Sequence, residues 1–272
     1  IEQVSFDFSL DIEKALFKND VVMHNMVGML KCREKQCVMG SISGGFGENG
    51  FLDFRYYPTG EKYTYVARTN DGGSILRGLN LTTNVIGGDL ESSAVIEKNS
   101  KGNFVMNNGK FLMRDFKSVK APLLTKIASL ASFSGIANAL NGEGIVFQKA
   151  KGEYSFEDGV LSANSFKVFG DSLGFTFGGT IDFKSSKIDI GGAITPAYAI
   201  NRFIGNIPLL GTILTGTQNE GVIAASYNIS GNYLEPEFQV NPLSMLTPGL
   251  FREIWGKNAE EIPSSGAEVE KK

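Results

Sequence analysis

Residues Leu173–Phe183 read LGFTFGGTIDF, and this stretch decides the fold. Leu173, Phe175, Phe177, Gly179, Ile181 and Phe183 take the odd positions, with Gly174, Thr176, Gly178, Thr180 and Asp182 between them. A period of two sends successive side chains to opposite faces of a strand. The alternation runs well past the usual strand of ~5–6 residues. It predicts one long strand, greasy on one face and wet on the other, as in an antiparallel sheet with one solvated side.

The pattern spreads in both directions. After KSSK, Ile188, Ile190 and Ile194 share one parity, and Ile223, Ala225, Tyr227 and Ile229 repeat the alternation further on. Upstream lie Val160–Phe169, a turn at Glu157-Asp158-Gly159, Gly152–Phe156 and Gly144–Lys149. At the start of the chain, Val4, Phe6, Phe8, Leu10 and Ile12 alternate with Ser5, Asp7, Ser9 and Asp11. Between these ends the sequence predicts strands at Phe51–Tyr57, Tyr63–Arg68, Gly88–Glu97, Asn103–Asn107 and Lys110–Phe116. SISGGFGENG reads as a turn region, Asn107–Gly109 as a tight hairpin turn, and SILRGLN as a short helical piece.

Two stretches break the strand pattern. Pro122, Leu123, Leu124, Ile127, Leu130, Phe133, Ala137 and Leu140 follow helical spacing, with Ser134-Gly135 as a division and Asn141-Gly142 as a stop. Thr195–Gly216, TPAYAINRFIGNIPLLGTILTG, opens with a Thr-Pro helix start. Its Ile200, Phe203, Ile204, Leu209, Leu210, Ile213 and Leu214 form two short apolar stripes around Pro208. A membrane span is the sharper reading. Asn201, Arg202, Asn206, Gly205, Gly211 and the ladder-breaking Pro208 argue against it, and two short helices capping the sheet are expected instead.

The expected organisation is a sheet segment over 1–118, a helical insert over 119–143, a second sheet segment over 144–194, and a helical insert over 195–216. Terminal strands over 217–240, a C-terminal helix over 241–256 containing Phe251 and Trp255, and a disordered charged tail over 257–272 complete it.

Composition supports a β-rich chain: 33 glycines and 20 phenylalanines in 272 residues suit strands, turns and closely approaching backbones. A net charge of −3 gives no electrostatic case for nucleic acid. The chain opens at Ile1 without an initiator methionine, and no signal peptide or anchor is visible, so it is expected to be part of a longer protein.

Catalytic signals are sparse, and the chain is expected not to be an enzyme and to need no cofactor. His24 lies among Val21, Val22, Met23 and Met26 with no acidic partner at a telling spacing. Asp7 with Asp11, and Asp182 with Asp189, fall on solvent-facing strand positions. GGFGENG lacks the Lys-Ser of a phosphate loop, and SISGG is not a nucleophile elbow. Cys32 and Cys37 face each other across a predicted hairpin, which suits either a disulfide or two reduced thiols in a cytosolic protein. A zinc site lacks ligands.

What remains is a long sheet with one face of aliphatic and phenylalanine side chains. Periodicity fits both a closed core and a trough left open for an apolar ligand.

Several blocks in one order carry a family resemblance. They are DGGSILRGLN, VIGGDL, FLMRDFKSVKAPLLTKIASLASFSGIANALNGEGI, DGVLSANSFKVFGDSLGFTFGGTIDF, and the run from GGAITPAYAINRFIG through NPLSMLTPGLFREIW. This order resembles the C-terminal region of AsmA-like proteins, most of all the YhdP-type branch, over about Tyr63–Trp255; the first sixty residues match in strand style only. The resemblance implies a mainly β fold: a long twisted antiparallel sheet curved into a hydrophobic groove, with short α-helices inserted near the C-terminal end. It implies a periplasmic location as part of a longer inner-membrane-anchored protein, and transport of phospholipid between the inner and outer membranes, as in TamB and bridge-like lipid-transfer proteins. In that compartment a Cys32–Cys37 disulfide is favoured.

On this reading Phe6, Phe8, Leu173, Phe175, Phe177, Ile181, Phe183, Ile188, Ile190, Tyr227 and Ile229 line the groove. The helices of Thr195–Gly216, with Leu123–Leu140 and Leu250–Trp255, gate its end or rest on a membrane surface, or simply cap the sheet against aggregation. Expected partners are phospholipids, a membrane surface and envelope proteins, not nucleic acid. The rival readings are an envelope assembly protein with a closed β core, and a module binding one ligand in an enclosed pocket.

Overall fold

A computed structural model of the chain describes residues 5–33, 36–196 and 224–243. They form one antiparallel sheet of thirteen strands whose spatial order equals their order in the chain. The strands are β1 (Phe6–Leu16), β2 (Val22–Arg33), β3 (Gln36–Phe46), β4 (Gly50–Thr59), β5 (Lys62–Thr69), β6 (Val85–Lys98) and β7 (Phe104–Ser118). They continue with β8 (Ile145–Glu157), β9 (Val160–Gly170), β10 (Leu173–Asp182), β11 (Lys187–Pro196), β12 (Ala224–Asn232) and β13 (Glu235–Leu243). The sheet is open: β1 and β13 are its edges. At ~4.8 Å per strand it is about 58 Å across.

Three short helices join it among the described residues: α1 (Gly72–Gly78), α2 (Pro122–Leu130) and α3 (Ser134–Asn141). The Asp71 carboxylate caps α1, accepting from the Ser74 backbone N–H at 3.1 Å and the Ser74 hydroxyl at 2.6 Å. Gly73 lets α1 lie against β6, because a Cβ there would sit 2.6 Å from the Val85 carbonyl oxygen. Pro122 opens α2 at a position whose N–H has no helical acceptor. Ile127 and Ala128 of α2 and Ala137 and Leu140 of α3 then turn inward.

The helix pair shows that the sheet curves. α2 follows β7, yet the Lys126 ammonium lies 4.3 Å from the centre of the Phe238 ring on β13. Those strands are six positions apart, about 29 Å in a flat sheet. A nine-residue helix spans only ~13 Å. The sheet bends around α2 and α3, and the main core sits between them, joining Phe116, Phe147, Leu173, Ile194 and Ala225 to the helices. A smaller core of Val21, Met23 and Phe46 packs Ile75 of α1.

Several local expectations are corrected. Asn107–Gly109 is not a hairpin turn: β7 runs through it, with Asn108 at φ 51° and a register shift between Met106 and Gly109. A bulge and a tight turn draw on the same residues, since both need positive φ. The stretch SISGG is strand, and only Gly47–Asn49 turn. Thr195 and Pro196 do not start a helix; they close β11 opposite Gly174 and Leu173. Asn241 and Pro242 pair with Ser226 and Ala225, so β13 reaches past the expected helix boundary at 241. The remainder of the expected helices and tail, including Ile200, Phe203, Ile204, Leu209, Leu210, Ile213, Leu214, Phe251 and Trp255, lies outside the described residues.

Candidate functional site

Cross-strand partners share a face, so the registers trace each face across the sheet. One row runs Pro58, Tyr63, Ile96, Met106, Phe156, Leu161, Ile181, Ile188, Gly231, Pro236, crossing β4 to β13 without a charged residue. A second runs Phe8, Leu30, Gly40, Tyr56, Tyr65, Ala94 from β1 to β6. Together they define one apolar face that extends over all thirteen strands. The opposite face carries a row of Arg68, Glu91, Leu112, Lys151, Lys167, Thr176.

Aromatic rings pave the centre of the apolar face. Phe116 stacks on Phe147 (ring centres 5.3 Å apart), Phe147 meets Phe175 edge-on (5.7 Å), and Phe175 lies beside Phe177 (6.3 Å). Phe177 stacks on Phe166 (4.7 Å), which touches Phe111 (5.7 Å). The hydroxyls of Tyr65 and Tyr154 are hydrogen-bonded although β5 and β8 are three strands apart, and Ser92 joins both. Side chains from strands so far apart meet because this face is concave.

Glycine makes room for the rings. A Cβ on Gly152 would lie 2.4 Å from the ring atoms of Phe166, itself pinned against Phe177. The Gly152→Ala chain is expected to lose about 1–3 kcal/mol by overpacking, read from urea unfolding. An unchanged midpoint would show that the ring is free to move.

The expected lining residues all lie on this face, but they divide. Phe6 and Phe8 are 52% exposed on β1, and Phe183 is 45% exposed beside the rings of Phe156 and Tyr233. Phe175, Phe177, Ile181, Ile188 and Ile190 are half-buried. Leu173, Tyr227 and Ile229 are buried in the part of the face packed in the core, so they are packing residues rather than open lining. Tyr65, Phe111, Tyr154 and Phe166 were not expected. The α2–α3 pair covers only one end of the strands. Beside it, Thr82, Val85, Phe116, Leu123, Leu124, Phe147 and Phe175 line an open pocket of about 470 Å³.

Tyr227 donates its hydroxyl proton to the Thr176 carbonyl oxygen at 2.7 Å, and burial pushes its pKa well up. In the unfolded chain a tyrosine titrates near ~10. Below that pH the contribution of the neutral buried form is fully present; above it the unfolded state releases its proton first and stability falls. We expect alkaline unfolding to steepen above about pH 10, by up to ~1.4 kcal/mol per pH unit. Tyr227→Phe should flatten that limb; an unaltered limb would assign it elsewhere.

The remaining polar candidates have local partners. Arg33 donates to Asp7 at 2.7 Å, and this hydrogen bond holds the Asp7 carboxyl below its ordinary range. Asp182 accepts from the Ser185 hydroxyl and from the Ser185 and Lys184 backbones in a turn, which lowers it likewise. Asp189 accepts from Asn228 at 3.3 Å. His24 is exposed on β2. Cys32 and Cys37 face each other at the β2–β3 turn and are joined by a disulfide. Among the described residues no group of His, Cys, Asp and Glu is arranged to hold a metal ion, and no helix is long and apolar enough to cross a membrane. Comparison with protein-family models, with curated proteins and with solved structures finds no match to this chain.

Proposed function

We propose that the concave apolar face shields the acyl chains of phospholipids, and that the chain is a segment of a conduit between the two membranes of a bacterial envelope. The observation that carries this reading is the unbroken apolar face across thirteen strands, with large side chains still accessible and, among the described residues, a helical cover at one end only. Each methylene kept from water is worth ~0.8 kcal/mol, so a lipid with ~30 methylenes could not cross an aqueous gap unshielded. A trough lined by rings and branched aliphatics removes most of that barrier. It asks nothing specific of a head group, which agrees with a lining that contains no charged row.

The disulfide supports an oxidising compartment such as the periplasm, and the resemblance to AsmA-like proteins points the same way. An open sheet favours the conduit over a closed β core. Native mass spectrometry of the gently purified chain tests the reading: several phospholipids per chain are expected. One tightly held small ligand would instead indicate an enclosed pocket, and a lipid-free chain would defeat the proposal.

A further inference from the structure

The concave face is not uniform in its rings. On β4 and β5 it presents Phe54, Tyr56, Tyr63 and Tyr65, with Tyr56 stacked on Tyr63 (ring centres 5.1 Å apart) and Phe54 on Tyr65 (5.9 Å). Along the same rim of the trough, β7, β8 and the end of β10 present Phe104, Phe156 and Phe183 instead. A ring alone therefore fills the rim, and the hydroxyls on β4 and β5 are not needed for packing. Tyr63 is the second residue of β5, so this tyrosine field lies where the apolar trough meets water at the strand ends. A phenol suits such a boundary, since its ring is apolar and its hydroxyl polar.

Hydrogen bonding divides the hydroxyls into two sets. Tyr65, Ser92 and Tyr154 form a closed triangle, with Tyr65 to Ser92 and Ser92 to Tyr154 each at 2.9 Å. The Tyr154 ring lies over Gly109, where a Cβ would come within 2.7 Å of it, and so leans from β8 toward Tyr65. Each hydroxyl has one proton to donate, so the triangle spends its donors internally. Tyr56 and Tyr63 are different: both are half-buried, and neither hydroxyl is hydrogen-bonded to another described residue. Burial, and then Tyr63, raise the pKa of Tyr56, which keeps its hydroxyl a donor. Two phenolic donors thus stand side by side at the edge of an apolar trough.

We infer that Tyr56 and Tyr63 form an ester-binding subsite of the trough, donating to the acyl-ester carbonyls of a diacyl phospholipid. The inference rests on the phospholipid reading of the trough and adds how the lipid is placed in it. The chemistry matches in kind and number: a diacyl glycerolipid carries two ester carbonyls, both acceptors, between its head group and its acyl chains. Seated on these phenols, the lipid leaves its head group in water beyond the β4–β5 turn and lays its chains over the phenylalanines of β7–β10. The closed triangle of Tyr65, Ser92 and Tyr154 retains only acceptors, so it does not compete for the carbonyls.

A competition between ester and ether lipids tests it, because an ether lipid of the same length lacks both carbonyls. The whole chain is delipidated and offered equal amounts of dioleoyl phosphatidylcholine and its dioleyl ether analogue from mild-detergent micelles. Native mass spectrometry then counts each bound lipid. The unmutated chain should hold the ester form in about fivefold excess, the scale of one net neutral hydrogen bond. Tyr56→Phe/Tyr63→Phe, which keeps both rings, should bring the two forms to parity with the total lipid per chain unchanged. Tyr57→Phe, on the opposite face across from Thr64, should keep the excess. Equal uptake by the unmutated chain, or an excess that survives in the double variant, overturns the subsite and leaves the trough standing. Uptake of neither lipid overturns the subsite and the phospholipid reading together.

Discussion

Replacing Phe175 and Phe177 together by aspartate is expected to strip the purified chain of phospholipid while leaving a folded sheet. Both rings lie on the concave face in the aromatic row that joins Phe147 to Phe166, and both retain solvent contact. Two carboxylates there would put charge against acyl chains, where an unpaired ionised group is costly enough to exclude one partner or the other. Thr180→Asp is the matched control: it adds charge to the same strand, but on the opposite, exposed face. Native mass spectrometry should show near-complete lipid loss in the double variant and none in the control. Retention of a full lipid complement by the folded double variant would remove the trough from the proposal.

The largest expected loss of stability belongs to Phe147→Ala. Phe147 is 1% exposed, stacks on Phe116, meets Phe175 edge-on, and shares the core with Ile127 and Leu140 of the helix pair. Removing a fully buried ring typically costs about 3–5 kcal/mol, through lost transfer energy and the cavity left behind. Phe183→Ala, at a half-open position, should cost under ~1 kcal/mol. Urea unfolding followed by circular dichroism reads both. If the two variants lose stability equally, the helix pair is not seated on a packed core at Phe147.

Sequence reading reached the sheet through strands in which parity holds from end to end. Leu173–Phe183 and the Ile188–Ile194 run are of this kind, and their partners fall where alternation puts them. It failed where parity flips. In β9, Leu161 and Ala163 share the apolar face with Phe166 and Val168, because Ser165 at φ 51° inserts an extra residue. In β8 the face passes from Phe147 to Ala150, and in β7 from Met106 to Gly109. Each shift rotates the following side chains by one position, so Phe111 and Phe166 looked unrelated to Phe177. The residues in positive φ that mark these shifts, Asn25, Asn108, Asp115 and Ser165, are small and polar, the types that otherwise announce turns.

Because spatial order equals chain order, the backbone ladder of each strand involves its immediate neighbours alone, while side chains such as Tyr65 with Tyr154 and Lys126 with Phe238 reach further. Such a sheet is quasi-one-dimensional, like a repeat array. Duplicating a hairpin within it would lengthen the trough by about 9.6 Å and leave the other strand pairings in place. Its reach is thus a quantity that evolution can adjust two strands at a time. The same locality gives short loops to close at each step, so a longer version need not fold more slowly per strand than a short one.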